Sequence, residues 1–400
     1  MIDVSEWSTG RRFFDSALSQ QQFLTEYWQK KPLLIRQAFQ NFISPISADE
    51  LAGLTLEKDI ESRLISYHDE HWQMRHGPLD DADYQQLPDK NWTILVQDVD
   101  KHVPDTASIL EPFQFIPNWR CDDLMISYAT QGGTVGPHTD SYDVFLLQAE
   151  GQRHWQVSDS ALYDAEVVEV TSGLVQLQHL TGRGWCLEPG DMLYIPPHYG
   201  HYGVALSAGM TFSIGFSAPS YRRLLEEVFD NKKLSSSLNR LYSDPQRQVV
   251  YSNYEIEAEA INGIQQQLLS LLSQTEGVIV ESIGRVVTET KASLITLATD
   301  FHLTASITAE EVTDFLRQGG ELSKNPYYRF AWLQDRQAQQ YYFFMAGQSY
   351  PIPLSCDKRW LEKLASASLW CYQDWQEMRQ DPDLATLFMT LLNDGGWYYE

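Results

Sequence analysis

The sequence predicts a mostly β chain: a double-stranded β-helix, or jelly roll, with flanking helices, then a helical region and a C-terminal α+β domain of winged-helix type. Three observations carry this. From about Asn91 to Ala218, short apolar runs alternate with Gly, Pro and polar turns, as in a sandwich or jelly roll. Beyond Pro219 the apolar residues recur at helical spacing. From residue 304 onward, helix, paired strands and further helices follow one another in a segment of small-domain size. At 400 residues the chain exceeds a single small core.

Taken in order, QQFLTEYWQKKPLLIRQAF places Phe23, Leu24, Tyr27 and Trp28 at helical spacing, and Pro32 stops that helix before a short strand, LLIR. SADELAGLTLE is a second helix, opened by a capping box of Ser47 and Glu50. RLISYH and HWQMRHG read as a hairpin. The jelly-roll core, about 91–218, follows as WTILVQ, DLMISYAT, DVFLLQAEGQRHWQVS, WCLEPGDMLYIPP and TFSIGFSA, with AEGQ read as a hairpin turn. YRRLLEEVFDNKKLSSSLNRLY is helical, and Ile261, Ile264, Leu268, Leu271 and Leu272 stripe a further helix that reads as a dimer seam. Thr308 and Glu311 cap a helix that Gly319 and Gly320 end, YYRFAWL and YYFFMAG pair as strands, and two helices follow. The second of these is opened by Asp381 and Pro382 and closed by Gly395. The expected domains are therefore 1–218, 219–303 and 304–400.

Composition narrows the function classes. With 43% hydrophobic and 12% aromatic residues the chain buries a large core and is not a disordered protein. No apolar run approaches the ~18 residues of a membrane span. The opening MIDVSEWSTGRRFF lacks a basic-then-apolar leader, so the expected location is the cytoplasm. Cys121, Cys186, Cys356 and Cys371 are scattered without CxxC spacing, as reduced residues are. The net charge of −25, from 54 acidic against 29 basic residues, repels phosphate backbones and admits a cationic protein partner. Residues 301–400 carry 8 basic and 13 acidic side chains, so a winged-helix unit there is not expected to bind DNA.

The chemistry concentrates in two motifs. In GPHTDSYDVFLLQ, His138 and Asp140 stand two apart at the start of a strand-like run, and alternation lets both side chains reach one ion. Gly132, Gly133 and Gly136 permit a tight bend before them, and Pro137 fixes φ. EPGDMLYIPPHYGH ends in His201, a third ligand from a distant strand. Two histidines and a carboxylate leave open positions on an octahedral ion, the arrangement of non-haem Fe(II) oxygenases. His154 alternates away from this site, while His68, His71 and His76 read as exposed hairpin residues rather than a second metal site.

These motifs, with YWQKKPLLI near the N-terminus, resemble the cupin motifs of the JmjC-type branch; with the helical block and terminal domain, the architecture resembles the bacterial ribosomal oxygenases. The resemblance implies Fe(II) on His138, Asp140 and His201, with 2-oxoglutarate and O2 as cosubstrates. It matches Arg153 to the cation, and Ser127 to the hydroxyl, that hold the distal carboxylate of 2-oxoglutarate; Thr211 and Ser213 face the same cavity in the jelly-roll reading. It also implies hydroxylation at the 3-position of an arginine in a basic large-subunit ribosomal protein of the L-sixteen class. Asp143 is a candidate contact for that arginine's guanidinium, and a homodimer is expected. The other readings are a JmjC-type demethylase, a small-molecule oxygenase, a metal-dependent isomerase with no need of Arg153, and a non-catalytic cupin acting as a protein-binding module.

Overall fold

A computed structural model describes residues 19–399 apart from 232–233, 242, 244–255, 257, 274–275 and 303–305. The N-terminal stretch on which the absence of a leader is read lies outside the described residues, as does part of 221–242. Contacts divide the chain into two compact units, 1–218 and 219–400.

In the first unit the strands are β1 (Leu33–Ile35), β2 (Ser62–His68), β3 (His71–His76), β4 (Trp92–Val96), β5 (Cys121–Ala129), β6 (Asp143–Gln148), β7 (Arg153–Ala161), β8 (Val167–Thr171), β9 (Leu174–Leu177), β10 (Gly182–Leu187), β11 (Met192–Ile195), β12 (Tyr199–Ala205) and β13 (Gly209–Phe216). Eight of them form an antiparallel major sheet in the order β1-β11-β6-β13-β5-β4-β2-β3, and three a minor sheet, β10-β7-β12. The remaining ribbon, β8–β9, was not legible as strands. Alternation divides the major sheet cleanly. Phe145, Leu147, Phe212 and Ile214 pack outward, with Phe23 and Leu51 of the helices Gln20–Glu26 and Ala48–Leu54. Val144, Leu146, Leu193 and Ile195 point inward, against Trp155 and Val157 of the minor sheet. This inner face holds the site.

The AEGQ segment is not a hairpin turn. β6 pairs with β11 and β13, whereas β7 pairs with β10 and β12, so residues 149–152 carry the chain from one sheet to the other. Turn composition marks a reversal but says nothing of which strand pairs with which. WCLEPGDMLYIPP divides in the same way: β10 joins the minor sheet and β11 the major one. The Ser47 capping box forms as expected.

The second unit contains the helices Tyr221–Asp230, Ala258–Ser273, Glu276–Val287 and Ala309–Arg317, then a three-stranded sheet of β15 (Phe330–Asp335), β16 (Gln340–Met345) and β17 (Gln348–Pro353). A second small sheet joins β14 (Leu322–Lys324) to β18 (Leu369–Trp370) and β19 (Trp397–Tyr399). The expected pairing of YYRFAWL with YYFFMAG is present as β15–β16. Two features differ from expectation. QSYPIP is a third strand whose prolines are tolerated because it lies at a sheet edge, and three helices follow it instead of two: Lys358–Ser366, Tyr372–Met378 and Pro382–Asn393. Trp370, Trp375, Trp397 and Phe388 fill the core beneath them. No helix among the described residues is long and apolar enough to cross a membrane.

Candidate active site

The chain reaches His138 through a bend in which Gly136 adopts φ +84°, a conformation that disfavours a side chain. His138 and Asp140 lie just before β6 rather than on it, and backbone bonds fix them. The N–H of His138 donates to the carbonyl of His201 (2.9 Å), that of His201 to the carbonyl of His138 (2.8 Å), and that of His198 to the carbonyl of Asp140 (2.7 Å). The three side chains converge: Oδ2 of Asp140 lies 3.9 Å from Nε2 of His138 and 3.4 Å from Nε2 of His201. Each imidazole turns its Nδ1 to a carbonyl at 3.0 Å, that of Gly136 or Tyr199, which leaves Nε2 for a metal.

Electrostatics suit that role. Burial, reinforced by the neighbouring His201, brings the pKa of His138 down to about 4, so its imidazole is neutral at physiological pH. Burial pushes the Asp140 carboxyl the other way. The hydrogen bond with His201 and the electrostatic pull of both neighbouring imidazoles outweigh it, and a bond from the Tyr142 hydroxyl adds to them, so the pKa ends at about 2. A neutral imidazole at His138 and an ionised carboxylate at Asp140 suit a divalent first-row metal. One other group of suitable atoms is described, Cys356, Asp381 and Asp383. There Asp381 caps the helix Pro382–Asn393 and accepts from the Cys356 thiol at 3.7 Å, which accounts for the cluster without an ion.

Arg153 lies on the inner face of β7 beside Trp155, its guanidinium 5.5 Å from the ring centroid. It is 8% exposed, and no ion pair to it is present among the described residues. Burial brings its pKa down to about 10, still well above neutrality, so the buried group is a cation. Ser127, Thr211 and Ser213 are buried on the inward-facing positions of β5 and β13. The Ser127 hydroxyl donates to the Thr211 carbonyl at 3.4 Å, and the Thr211 hydroxyl to Oε1 of Gln148 at 3.1 Å. His154, one residue on, is exposed, as alternation requires.

Asp143 does not reach this cavity. It shares the outward face of β6 with Phe145 and Leu147 and has no exposed surface. Its carboxylate accepts from the hydroxyl of Tyr194 (2.6 Å) and Nε2 of Gln29 (3.0 Å) and pairs with Arg120 at 3.4 Å. It ties the N-terminal segment to the major sheet. Replacing Asp143 by Ala is therefore expected to lower stability by about 3–5 kcal/mol, the usual cost of breaking a buried pair, and to leave the substrate KM unchanged. Denaturant unfolding beside steady-state kinetics checks both halves.

Two polar groups near the metal ligands escaped the sequence reading. Tyr142 hydrogen-bonds Asp140. Asp123, 7% exposed, faces inward from β5 and acts electrostatically on Tyr142. It stands opposite Gly215 of β13 on the same inward row of β5 as Ser127, as alternation requires. The doublet Asp122-Asp123 ahead of an apolar strand was the available signal.

Comparison with known proteins agrees with this geometry. Residues 108–224 match the family model described as JmjC domain. The ribosomal protein uL16 3-hydroxylase of Escherichia coli (strain K12) is 32% identical over 94% of this chain and 97% of its own length. The probable ribosomal oxygenase of Haemophilus influenzae is 37% identical over about half of each chain, 52% and 51%. Among solved structures, E. coli YcfD superposes with a TM-score of 0.82 at 31% identity, covering 97% of this chain and all of the other. A second structure of YcfD, in complex with cobalt and 2-oxoglutarate, gives 0.78 at 31% identity over 96% and 98%. With its open two-histidine, one-carboxylate centre inside a jelly roll, and with this likeness along nearly its whole length, the chain belongs to the JmjC-type ribosomal oxygenases.

Proposed function

We propose that this protein is an Fe(II)- and 2-oxoglutarate-dependent oxygenase that hydroxylates the 3-position of an arginine in a basic protein of the large ribosomal subunit, uL16 or its counterpart. The observation that carries the reading is Arg153, a buried cation without a carboxylate partner among the described residues, in the same jelly roll as the triad. A metal isomerase or a structural cupin has no use for it, whereas a dicarboxylate cosubstrate supplies its counter-charge.

His138, Asp140 and His201 would hold the iron. When bound, the iron with 2-oxoglutarate and dioxygen supplies the power to place one oxygen atom in an unactivated C–H bond, the other entering succinate as carbon dioxide leaves. The protein's share is positioning. The triad brings its three donor atoms together, Oδ2 of Asp140 lying 3.9 Å and 3.4 Å from the Nε2 atoms of His138 and His201. Arg153 takes the distal carboxylate of the cosubstrate, with Ser127, and more peripherally Thr211 and Ser213, lining the inner face. Tyr142 fixes Asp140. Asp123, in place of Asp143, is the buried carboxylate suited to the substrate guanidinium, and the net charge of −25 draws in a basic client.

The finer assignments belong to the same reading. Residues 219–303 form a helical dimerisation region, supported by the exposure of Ile261, Ile264, Leu268 and Leu272 along Ala258–Ser273, and 304–400 form a winged-helix domain that does not bind nucleic acid. The site of action is the cytoplasm, where ribosomes are. To test the function, the iron-loaded full chain is incubated with an arginine-containing uL16 peptide and 2-oxoglutarate. Succinate should appear together with a single added oxygen on the arginine by mass spectrometry. Succinate with formaldehyde and a lost methyl group would identify a demethylase instead, and an unmodified peptide with no succinate would refute the proposal.

A further inference from the structure

The bend that delivers His138 is held by the ribbon β8–β9. Three consecutive carbonyls of that bend are engaged. That of Val135 accepts from Nε2 of Gln176 at 3.1 Å, that of Gly136 faces Nδ1 of His138 at 3.0 Å, and that of Pro137 accepts from the Leu177 N–H at 2.7 Å. Two of these partners come from β9, and the third is the ring of the metal ligand itself. The Gly136 N–H is also engaged, donating to Oγ1 of Thr134 at 3.0 Å. Gln176 is 6% exposed and shares the inward row of β9 with Leu174, which packs with Ile65 of β2, Leu95 of β4 and Val135 of the bend. An apolar side chain is the ordinary occupant of such a position. Gly136 accounts for the exception: a Cβ there would overlap the Gln176 amide, so the amide lies directly against the glycine. Glycine is thus required at 136 twice, by its φ of +84° and by this close approach.

We propose that Gln176 is a positioning residue for the metal centre: it seats the β8–β9 ribbon on the bend and so fixes the Gly136 carbonyl that orients the His138 ring. This rests on the reading of His138 as a metal ligand. A ligating imidazole is aimed by the bond its other nitrogen makes, and the aim is reproducible only if that partner is itself held. Here the partner is the carbonyl of a glycine, the residue least restricted by its own side chain. The restraint comes from its neighbours: Gln176 holds the carbonyl before it and Leu177 the one after. The coupling is reciprocal. If a seated ribbon strengthens metal binding, bound metal must hold the ribbon in place by the same factor.

The test uses the metal-free full chain and Co(II) alone, titrated by its visible absorption, so turnover is not required. Gln176→Met keeps the bulk against Gly136 and removes the N–H donor; it is expected to weaken Co(II) binding about 10–100-fold. Val175→Ser, at the exposed position next to it, should bind Co(II) as the parent does. The Tm of metal-free Gln176→Met should stay within a few degrees of the parent. A merely structural glutamine would give the opposite split, a lower Tm with unchanged Co(II) affinity, and that result would overturn the inference, as would equal weakening in Val175→Ser. Hydrogen exchange in the parent gives a reading that needs no variant. Co(II) should slow exchange of the Leu177 amide about tenfold or more, and an unchanged rate overturns the coupling. His138→Ala separates the two layers. If it loses Co(II) while Gln176→Met binds normally, the inference fails and the ligand assignment stands; if His138→Ala binds Co(II) like the parent, the assignment is wrong and the inference falls with it.

Discussion

Asp140→Ala is expected to abolish hydroxylation, with succinate formation falling by at least about three orders of magnitude. Loss of the hydrogen-bonding partners around a metal ligand already costs about 10–100-fold, and here the ligand itself is removed. Asp140 supplies the only negative charge of the triad, and its low pKa keeps that charge present throughout the physiological range. With Asp140 gone, the ion loses both a donor and its charge compensation. The fold should survive, because the backbone carbonyl of Asp140, not its side chain, receives the His198 N–H, and the mutual bonds of His138 and His201 are also made by backbone. Metal analysis of the purified variant should show iron well below one equivalent, with a circular dichroism spectrum like that of the parent. Hydroxylation retained within tenfold would remove Asp140 from the ligand set.

The metal ligands were legible in the sequence because their signal is local. A two-residue spacing aims two side chains at one point whether or not strand pairing is formally complete, so His138 and Asp140 converge even though they precede β6. Arg153 was legible only by resemblance; its meaning comes from burial without a partner, which no spacing reports. Asp143 went astray through a parity error. Standing three residues after Asp140, on the strand that follows the HTD motif, it looked close, but it belongs to the odd-numbered outward row with Phe145 and Leu147. Asp123 was not singled out, since which row of β5 faces inward is decided by its pairing with β13, almost a hundred residues away. The sheet-to-sheet step at 149–152 was hidden for a similar reason: composition marks a turn, and only packing of the inner faces decides which sheet receives the next strand. In the C-terminal unit, QSYPIP was missed because prolines speak against a strand, a rule that lapses at an edge.

Arg153 should give two effects of opposite sign. Arg153→Met is expected to raise the KM for 2-oxoglutarate about 100-fold, because it deletes a charge-assisted, two-pronged contact in which each bond is worth about 1.5–3 kcal/mol. Arg153→Lys keeps the charge without the planar fork and should lose about tenfold. Without cosubstrate the order reverses. The guanidinium is buried among Trp155 and the inner-face residues with no ion pair among the described residues, and a buried charge of that kind works against folding until an anion arrives. Methionine, of comparable length and no charge, removes that cost, so the Arg153→Met protein should be more stable than the parent by about 1–4 kcal/mol in the absence of 2-oxoglutarate. Saturating 2-oxoglutarate should then raise the Tm of the parent and leave the variant unmoved, since a ligand stabilises only the state it binds. Thermal unfolding of both proteins with and without 2-oxoglutarate reads all four values. A structural arginine would behave differently, losing stability on substitution in both conditions. If Arg153→Met melts lower than the parent when no cosubstrate is present, the residue serves the fold rather than the cosubstrate, and the case for 2-oxoglutarate at this position fails.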